Sequence, residues 1–200
     1  MTAPSHAPTR RQLTARLSAF GLASLALPSL GGARELPATP SCEGSAARTR
    51  QQTEGPFYAP SSPLKRDLRG DGPGEALVLS GFVLTQQCQP LAGALVDLWH
   101  ADGAGAYDNE GDRFRGHQFT DAEGRYQFIT RIPGLYPGRT RHFHVKVRAD
   151  DRRLLTTQLY FPDDREANHR DGIFHHSLLM QVTRAGQRDR IGRFDFVLAA

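Results

Sequence analysis

Short apolar runs bounded by turn residues recur along most of the chain. The first two, residues 76–84 and 92–99, are separated by a polar stretch at 86–90, which predicts a hairpin-like pair of strands. Later runs are also short and rich in β-branched or aromatic residues; they are 124–130, 142–147, 154–161 and 193–198. This pattern predicts an all-β fold, an antiparallel β-sandwich with long loops and little helix. Only residues 163–174 have weak helical character.

Composition divides the chain into three parts. Residues 1–33 contain the pair Arg10 and Arg11, then a moderately apolar stretch and small residues, which is the pattern of a twin-arginine export signal. Residues 34–52 are polar and are expected to form a flexible, extended arm. Residues 53–200 show no internal repeat and are expected to form one domain. We therefore expect a protein exported to the periplasm or the extracellular space.

Composition and charge argue against a helical bundle and against two partners, nucleic acid and the membrane. The 20 glycines and 13 prolines disfavour a helical bundle. The 25 basic and 21 acidic residues give a net charge of +4, but three leader arginines supply most of that excess. The 22 basic residues that remain nearly balance the acidic ones, so no nucleic acid is expected as a partner. No apolar run reaches the length of about eighteen residues that suggests a membrane-spanning helix, so no stable membrane insertion is expected after signal removal.

The chain has two cysteines, Cys42 and Cys88. An exported protein enters an oxidising compartment, where a disulfide between them would tie the polar arm to the domain. Two free or buried thiols are the alternative, and the sequence leaves both open.

Two histidines occupy alternate positions at the start of the apolar run 142–147. Because side chains on a strand alternate between faces, His142 and His144 point to one face and can converge on one metal ion. Tyr107 and Tyr136 lie upstream in loops rich in glycine and proline. A phenolate is a hard oxygen donor that suits Fe(III), and two phenolates, two neutral imidazoles and a hydroxide would bring that ion to zero net charge. Taken singly, such histidines are more often core or surface residues, and such tyrosines are more often packed against a strand end.

Four motifs follow one another in a fixed order. They are W-x-A-x-x-x-G-x-Y at 99–107, Y-P at 136–137, R-x-x-H-x-H at 139–144 and T-Q-L-Y-F at 157–161. Together they resemble the intradiol ring-cleavage dioxygenases, and most of all protocatechuate 3,4-dioxygenase chains. The likeness begins near Glu54 and continues to Leu198, so it covers nearly all of the chain after the leader and the arm.

The resemblance implies one mononuclear non-haem Fe(III) ion per chain. Its ligands would be Tyr107, Tyr136, His142 and His144, with Tyr136 the ligand that leaves the metal when substrate binds. Family members open a catechol-type diol between its two oxygen-bearing carbons, insert both atoms of O2 and release a cis,cis-muconate-type product. The loops that carry the two tyrosines would then be the active-site loops.

The resemblance also assigns roles around the bound ring. Arg139 would stand next to the aromatic ring and stabilise its developing negative charge, with Gln158 helping to place it. A solvated charge in a basic segment is the alternative for Arg139. Tyr58 and Trp99 are candidates for lining the substrate cavity, although a lone tryptophan in a strand is more often part of the core.

The sequence departs from the family pattern in one loop. Only Pro137 and Gly138 separate Tyr136 from Arg139, a shorter loop than in familiar cytoplasmic members, so a more open pocket is expected.

His100 and Asp102 match half of a two-histidine, one-carboxylate Fe(II) site, with His142 or His144 as the third ligand. A non-enzymatic interpretation is an exported prealbumin-like β-sandwich that binds a ligand or partner, with the histidine pair incidental. Association into a homo-oligomer is also left open by the sequence.

Overall fold

The computed structural model describes residues 46–149, 152–185 and 189–199. The export signal predicted at 1–33, Cys42 and most of the polar arm at 34–52 lie outside the described residues, so these assignments stay predictions. Along the described chain the elements are β1 (Ala76–Thr85), β2 (Leu95–Trp99), β3 (Arg115–Phe119), β4 (Arg125–Arg131), β5 (His142–Arg148), β6 (Leu155–Tyr160), α1 (Arg165–Arg170), a 3-10 turn (His176–Leu178), β7 (Gln181–Ala185), β8 (Asp189–Arg193) and β9 (Phe196–Leu198).

The strands form two sheets, which confirms the predicted β-sandwich. One sheet has the order β4-β1-β8-β7 with β9 beside β1, and the other has the order β3-β2-β5-β6. The second sheet is antiparallel throughout. In the first sheet β1 runs parallel to β8 and β9, a feature absent from the sequence prediction because the apolar pattern does not encode the direction of pairing.

The prediction that the first two strands pair as a hairpin is wrong. The chain does turn back after β1, since Thr85 N donates to Gln89 O at 2.8 Å and Leu91 N donates to Val83 O at 2.9 Å. At Gly93, which has a φ of 69°, the chain then leaves β1. The strand that follows, β2, joins the other sheet between β3 and β5. The strands β1 and β2 therefore bury their apolar faces from opposite sides of the core.

The hydrophobic core lies between the two sheets. Leu79 on β1 and Phe128 on β4 enter it from one side, and Leu98 on β2 and Phe143 on β5 enter it from the other. Because the side chains of a strand alternate between faces, every second side chain of the second sheet lies on its outer face, away from this core. That outer face carries the candidate chemistry.

Three further features complete the fold. The helix α1 falls inside the segment predicted to be helical, whereas β3, β7 and β8 were not predicted. Cys88 is disulfide-bonded and adopts a φ of 63° in the turn after β1. In the described ranges no helix has the length and apolar character needed to cross a membrane.

Candidate metal centre

The strand β5 places its two histidines on the outer face of the second sheet. In the sequence HFHVKV, Phe143 and Val145 belong to the core, whereas His142 and His144 lie on the opposite face. The strand register puts His144 directly between Trp99 on β2 and Gln158 on β6. The two histidines are therefore held by a rigid sheet rather than by loops.

The ring nitrogens of the two histidines face each other. His142 Nδ1 donates to the Thr140 carbonyl oxygen at 2.7 Å, and because a carbonyl only accepts, Nε2 carries no proton. That Nε2 atom lies 3.1 Å from His144 Nε2. Burial, reinforced by the Arg139 charge, lowers the pKa of His142 to about 4, and burial beside His142 lowers the pKa of His144 well below its usual value. Both rings are neutral at pH 7, which is the state that binds metal ions.

Two phenol groups complete the cluster. Tyr136 Oη donates to His142 Nε2 at 3.3 Å. Tyr107 meets Tyr136 edge to face, with ring centroids 5.9 Å apart. The Tyr107 hydroxyl is buried and has no hydrogen-bond partner. Burial raises the pKa of Tyr107, so a strong local positive charge is needed to ionise it near neutral pH.

The loop that carries Tyr107 is braced by a carboxylate on each side. Asp102 Oδ1 accepts from the backbone N–H groups of Ala104 at 2.9 Å and Ala106 at 3.0 Å. Asp108 accepts from the backbone N–H groups of Arg113 and Gly111, and these bonds lower the pKa of its carboxyl to about 2. The loop is thus folded by its own side chains, which fixes where Tyr107 points.

Tyr136 and Arg139 are joined by a two-residue turn. Arg139 N donates to Tyr136 O at 3.1 Å across Pro137 and Gly138. Gly138 has a φ of 79°, as the third position of a type II turn after proline requires. A Cβ atom on Gly138 would have no neighbour within 4 Å, so the short loop leaves open space on this side.

The four side chains fit a ferric ion. The Nε2 atoms of the neutral His142 and His144 rings face each other, and the buried phenol oxygen of Tyr107 has no hydrogen-bond partner. A buried polar atom without a partner is costly, and a cation bound by all four groups would satisfy each of them. Its charge would also hold the two phenols as phenolates. In the described part of the chain no three His, Cys, Asp or Glu side chains are grouped to hold a metal, so a metal ion bound here would need the phenol oxygens as ligands.

Arg139 lies beside this cluster and donates a hydrogen bond from each of the three nitrogens of its guanidinium group. Nε donates to Asp171 Oδ2 at 2.9 Å, Nη1 donates to Tyr136 Oη at 3.4 Å and Nη2 donates to Gln158 Oε1 at 2.5 Å. Burial lowers the pKa of Arg139, but the hydrogen bond to Asp171 and the nearby charges of Asp171, Tyr136 and Tyr160 together more than offset it, so its pKa is raised. The interpretation of Arg139 as a solvated surface charge is therefore wrong.

Comparisons with known proteins show the family of this chain. A model of the family described as "Dioxygenase" matches residues 53–199. Two curated relatives are the protocatechuate 3,4-dioxygenase beta chain of Burkholderia cepacia and catechol 1,2-dioxygenase 2 of Acinetobacter lwoffii, each 34% identical to this chain over 66% of its length. The chain belongs to the intradiol ring-cleavage dioxygenase family. It spans only 64% and 58% of the lengths of those two relatives.

Solved structures of this family resemble the whole described fold. The dioxygenase domain of a dioxygenase and carbohydrate-binding protein fusion from Streptomyces sp. SirexAA-E is 50% identical, with a TM-score of 0.74. It covers 77% of this chain and 99% of that domain. Catechol 1,2-dioxygenase from Pseudomonas arvilla C-1 is 29% identical with a TM-score of 0.66, covering 75% of this chain and 62% of that one.

A segment before β1 covers the candidate centre in this family member. We call residues 52–58 the N-terminal strap. Gln52 N donates to Thr156 O at 2.8 Å, and Glu54 forms an ion pair with Lys146. Gly55 has a φ of 73°, and a Cβ atom there would lie 3.1 Å from His144 Cε1. The positive φ and this close approach both favour glycine at the point where the strap passes His144.

Two residues that the sequence analysis did not single out attach the strap to Tyr107 and its loop. Phe57 stacks on Tyr107 with ring centroids 4.2 Å apart and planes 18° apart. Arg115, buried on β3, donates to the carbonyl oxygens of Phe57 and Asp108. Phe57 lies inside the stretch that resembles the family, whereas nothing in the sequence around Arg115 indicates this role.

Tyr58 and Trp99 lie behind His144. Trp99 is only 1% exposed and stacks on the His144 ring, with centroids 4.9 Å apart and planes 10° apart. Tyr58 packs on Trp99 at 4.8 Å, and the Lys146 ammonium lies 4.6 Å from its ring centroid. These contacts favour a packing role for both residues, and their contact with substrate stays a prediction.

The hydrogen bonds of His100 and Asp102 argue against the Fe(II) interpretation. His100 Nδ1 donates to Ala101 O at 2.6 Å, and Nε2 accepts from the Thr130 hydroxyl at 2.7 Å, so neither nitrogen is free. Its ring packs edge-on against the core residue Phe143, on the face opposite His142. Asp102 is used within its own loop.

The buried His100 predicts a pH dependence of stability. Burial lowers its pKa from 6.5 to about 4, so the unfolded chain binds the extra proton between these values. Stability is complete above pH 6.5 and falls as the pH drops toward 4, with a loss from this group of about 2 kcal/mol at pH 5. We expect urea unfolding of the iron-free protein to show this loss. A His100→Gln variant should show a drop smaller by that amount, and an identical drop in both proteins would contradict the prediction.

Proposed function

We propose that this chain is a mononuclear Fe(III) dioxygenase that opens a catechol-type diol between its two oxygen-bearing carbons. Both atoms of one O2 molecule would enter the product, a cis,cis-muconate-type dicarboxylic acid, which balances the ring cleavage without a further reductant. The observation that carries the proposal is the convergence of Tyr107, Tyr136, His142 and His144, with Arg139 alongside. The names of the family relatives support the same reaction class.

The ion, when bound, would draw electron density from a chelated diol and so make a ring carbon reactive toward O2. Tyr136 Oη, which the charge of the ion would hold as a phenolate, would accept a proton from the incoming diol, because it lies 3.3 Å from His142 Nε2 at the end of an open two-residue turn. Arg139 Nη1, 3.4 Å from Tyr136 Oη, would then stand beside the ring and stabilise its negative charge.

Gln158 would keep that cation in place. Its Oε1 atom accepts from Arg139 Nη2 and from the Tyr160 hydroxyl at 3.0 Å, and its Nε2 donates to Thr53 O at 3.1 Å. The amide therefore cannot turn without losing bonds on both sides. The N-terminal strap, which supplies the Thr53 carbonyl, would also limit the access of water to the ligand atoms from its side.

An optical spectrum of the purified protein tests the proposal. We expect a red-brown protein with a broad visible band, because phenolates bound to Fe(III) absorb by charge transfer. Anaerobic titration with catechol, protocatechuate and hydroxyquinol should add a band at longer wavelength, and its midpoint ranks the three diols.

Each competing interpretation predicts a different spectrum. A pale ferrous protein that needs a cosubstrate would indicate another class of oxygenase. A colourless protein that folds equally well with and without iron would indicate a ligand-binding module. Either result would overturn the proposal.

The proposal includes export. The pair Arg10 and Arg11 and the apolar stretch after it support a twin-arginine signal, and twin-arginine export carries proteins that have already folded. A folded protein can carry a metal ion loaded before export, which suits a site built from three separate segments, the two tyrosine loops and β5. The periplasmic or extracellular location and any homo-oligomer are proposals from sequence and family alone.

A further inference from the structure

We propose that Asp171 is a positioning residue that holds the Arg139 guanidinium beside the candidate metal centre. The inference extends the proposed function and rests on it for the role of Arg139. Asp171 follows α1 and lies outside the four family motifs quoted above. Its carboxylate side chain is 1% exposed, and the Arg139 side chain is 19% exposed.

The carboxylate of Asp171 uses both of its oxygens as acceptors. Oδ2 accepts from Arg139 Nε at 2.9 Å and from Thr140 N at 3.0 Å, and Oδ1 accepts from Ile173 N at 3.1 Å. The Arg139 side chain is long and flexible, so an unrestrained guanidinium would sample many rotamers. Because Asp171 holds the Nε edge, Nη1 and Nη2 are left to face Tyr136 and Gln158.

The position of Asp171 at the end of a helix supports a role beyond local folding. An anion at a helix C-terminus opposes the helix dipole, which favours a cation or a neutral cap there. The backbone N–H of Asp171 does donate to Ala167 O, but its side-chain oxygens accept from Arg139, Thr140 and Ile173, none of which lies in α1. A residue unfavourable for its own helix is expected where it serves another part of the structure.

A second link fixes α1 against the segment that holds the arginine. The Thr140 hydroxyl donates to Asn168 Oδ1 at 2.6 Å, and Asn168 Nδ2 donates to Phe161 O at 2.8 Å. Asn168 is buried on α1, one turn before Asp171. The helix and the Arg139 segment are therefore joined at two neighbouring points, which holds the carboxylate still relative to the guanidinium.

The variant Asp171→Asn is the direct test. An amide has one acceptor oxygen and one donor NH2 group, so it cannot accept on both sides as the carboxylate does. Asp164→Asn is the matched control, because Asp164 flanks the other end of α1 and pairs with Arg141 at 3.2 Å rather than with Arg139.

The first measurement uses the iron-free protein. We expect the Arg139 Nε–H group to give a slowly exchanging signal in a proton–nitrogen NMR spectrum, assigned by its loss in Arg139→Lys. The signal should broaden or exchange at least about tenfold faster in Asp171→Asn and stay unchanged in Asp164→Asn. An unchanged signal in Asp171→Asn overturns the proposal, even if the protein turns out to have no dioxygenase activity.

The second measurement uses the iron-loaded protein. We expect kcat to fall about 10- to 100-fold in Asp171→Asn, as is typical when a supporting partner of a site residue is removed. Diol affinity from the anaerobic spectral titration and iron content should stay near wild type. Wild-type kcat, or a loss that follows iron loss, overturns the positioning role. Absence of turnover in the wild type with every diol would instead refute the proposed function and leave the NMR result to decide the role of Asp171.

A third variant covers the case in which Asp171→Asn does not fold. Asp171→Glu keeps the charge but moves the carboxylate outward by one methylene group. We expect it to fold, to show the Arg139 Nε–H signal at a shifted frequency and to lose several-fold in kcat. A wild-type frequency together with a wild-type kcat would overturn the proposal.

Discussion

Replacing His144 by alanine is expected to weaken iron binding by more than about 100-fold and to bleach the protein. The imidazole supplies one of four candidate ligand atoms, and even an indirect partner of a metal ligand typically contributes 10- to 100-fold to metal affinity. His144 is fixed by Trp99 on one face and by the strap residue Gly55 at its edge, so its ring is held in one orientation. Elemental analysis and the visible spectrum measure the loss.

His169→Ala is the matched control, because His169 is an exposed histidine on α1. It should keep full iron content and colour. Tyr136→Phe removes one phenol oxygen and leaves the ring in place, so it should also reduce iron content or colour without unfolding the protein. Full colour and activity in either ligand variant would contradict the assignment of that residue.

Replacing Arg139 by alanine is expected to slow turnover by about 10²- to 10³-fold, the usual cost of removing a donor aimed at developing charge. Arg139 touches Tyr136 through Nη1 but is not among the four groups that face the proposed ion. The variant should therefore retain iron and still form the coloured complex with diol.

Anaerobic spectra and steady-state kinetics separate these two effects for the Arg139 variant. Arg141→Ala is the control, since Arg141 lies two residues away and pairs with Asp164 rather than with the cluster. Unchanged kcat in Arg139→Ala would remove the role assigned to this cation.

Pattern and chemistry together predicted much of the fold and most of the cluster. The alternation in β5 was enough to place His142 and His144 on one face, because the strand period of two is a local property. The convergence of Tyr107 and Tyr136 with them could not follow from local pattern, since it depends on how two loops lie over the sheet. For these tyrosines the resemblance to a family supplied what periodicity lacks.

The errors and omissions have a common physical cause. The local turn after β1 is real, but its continuation into the other sheet at Gly93 depends on which core face β2 covers. Phe57, Arg115 and Asp171 were not singled out because the contact that gives each its role joins distant parts of the chain. These contacts are Phe57 with Tyr107, Arg115 with Phe57 and Asp171 with Arg139, and the shortest of them spans 32 positions. Neither propensity nor periodicity carries information over such distances.

The N-terminal strap has a consequence for how iron would leave the protein. The strap precedes β1 and has no strand ladder of its own. It is held by separate contacts to Thr156, Lys146, Gln158, Arg115 and Tyr107. Segments held without a strand ladder open at lower free-energy cost than a whole domain. A chelator approaching from that side would therefore strip the ion at a rate set by local detachment of these few residues, long before the sandwich itself came apart.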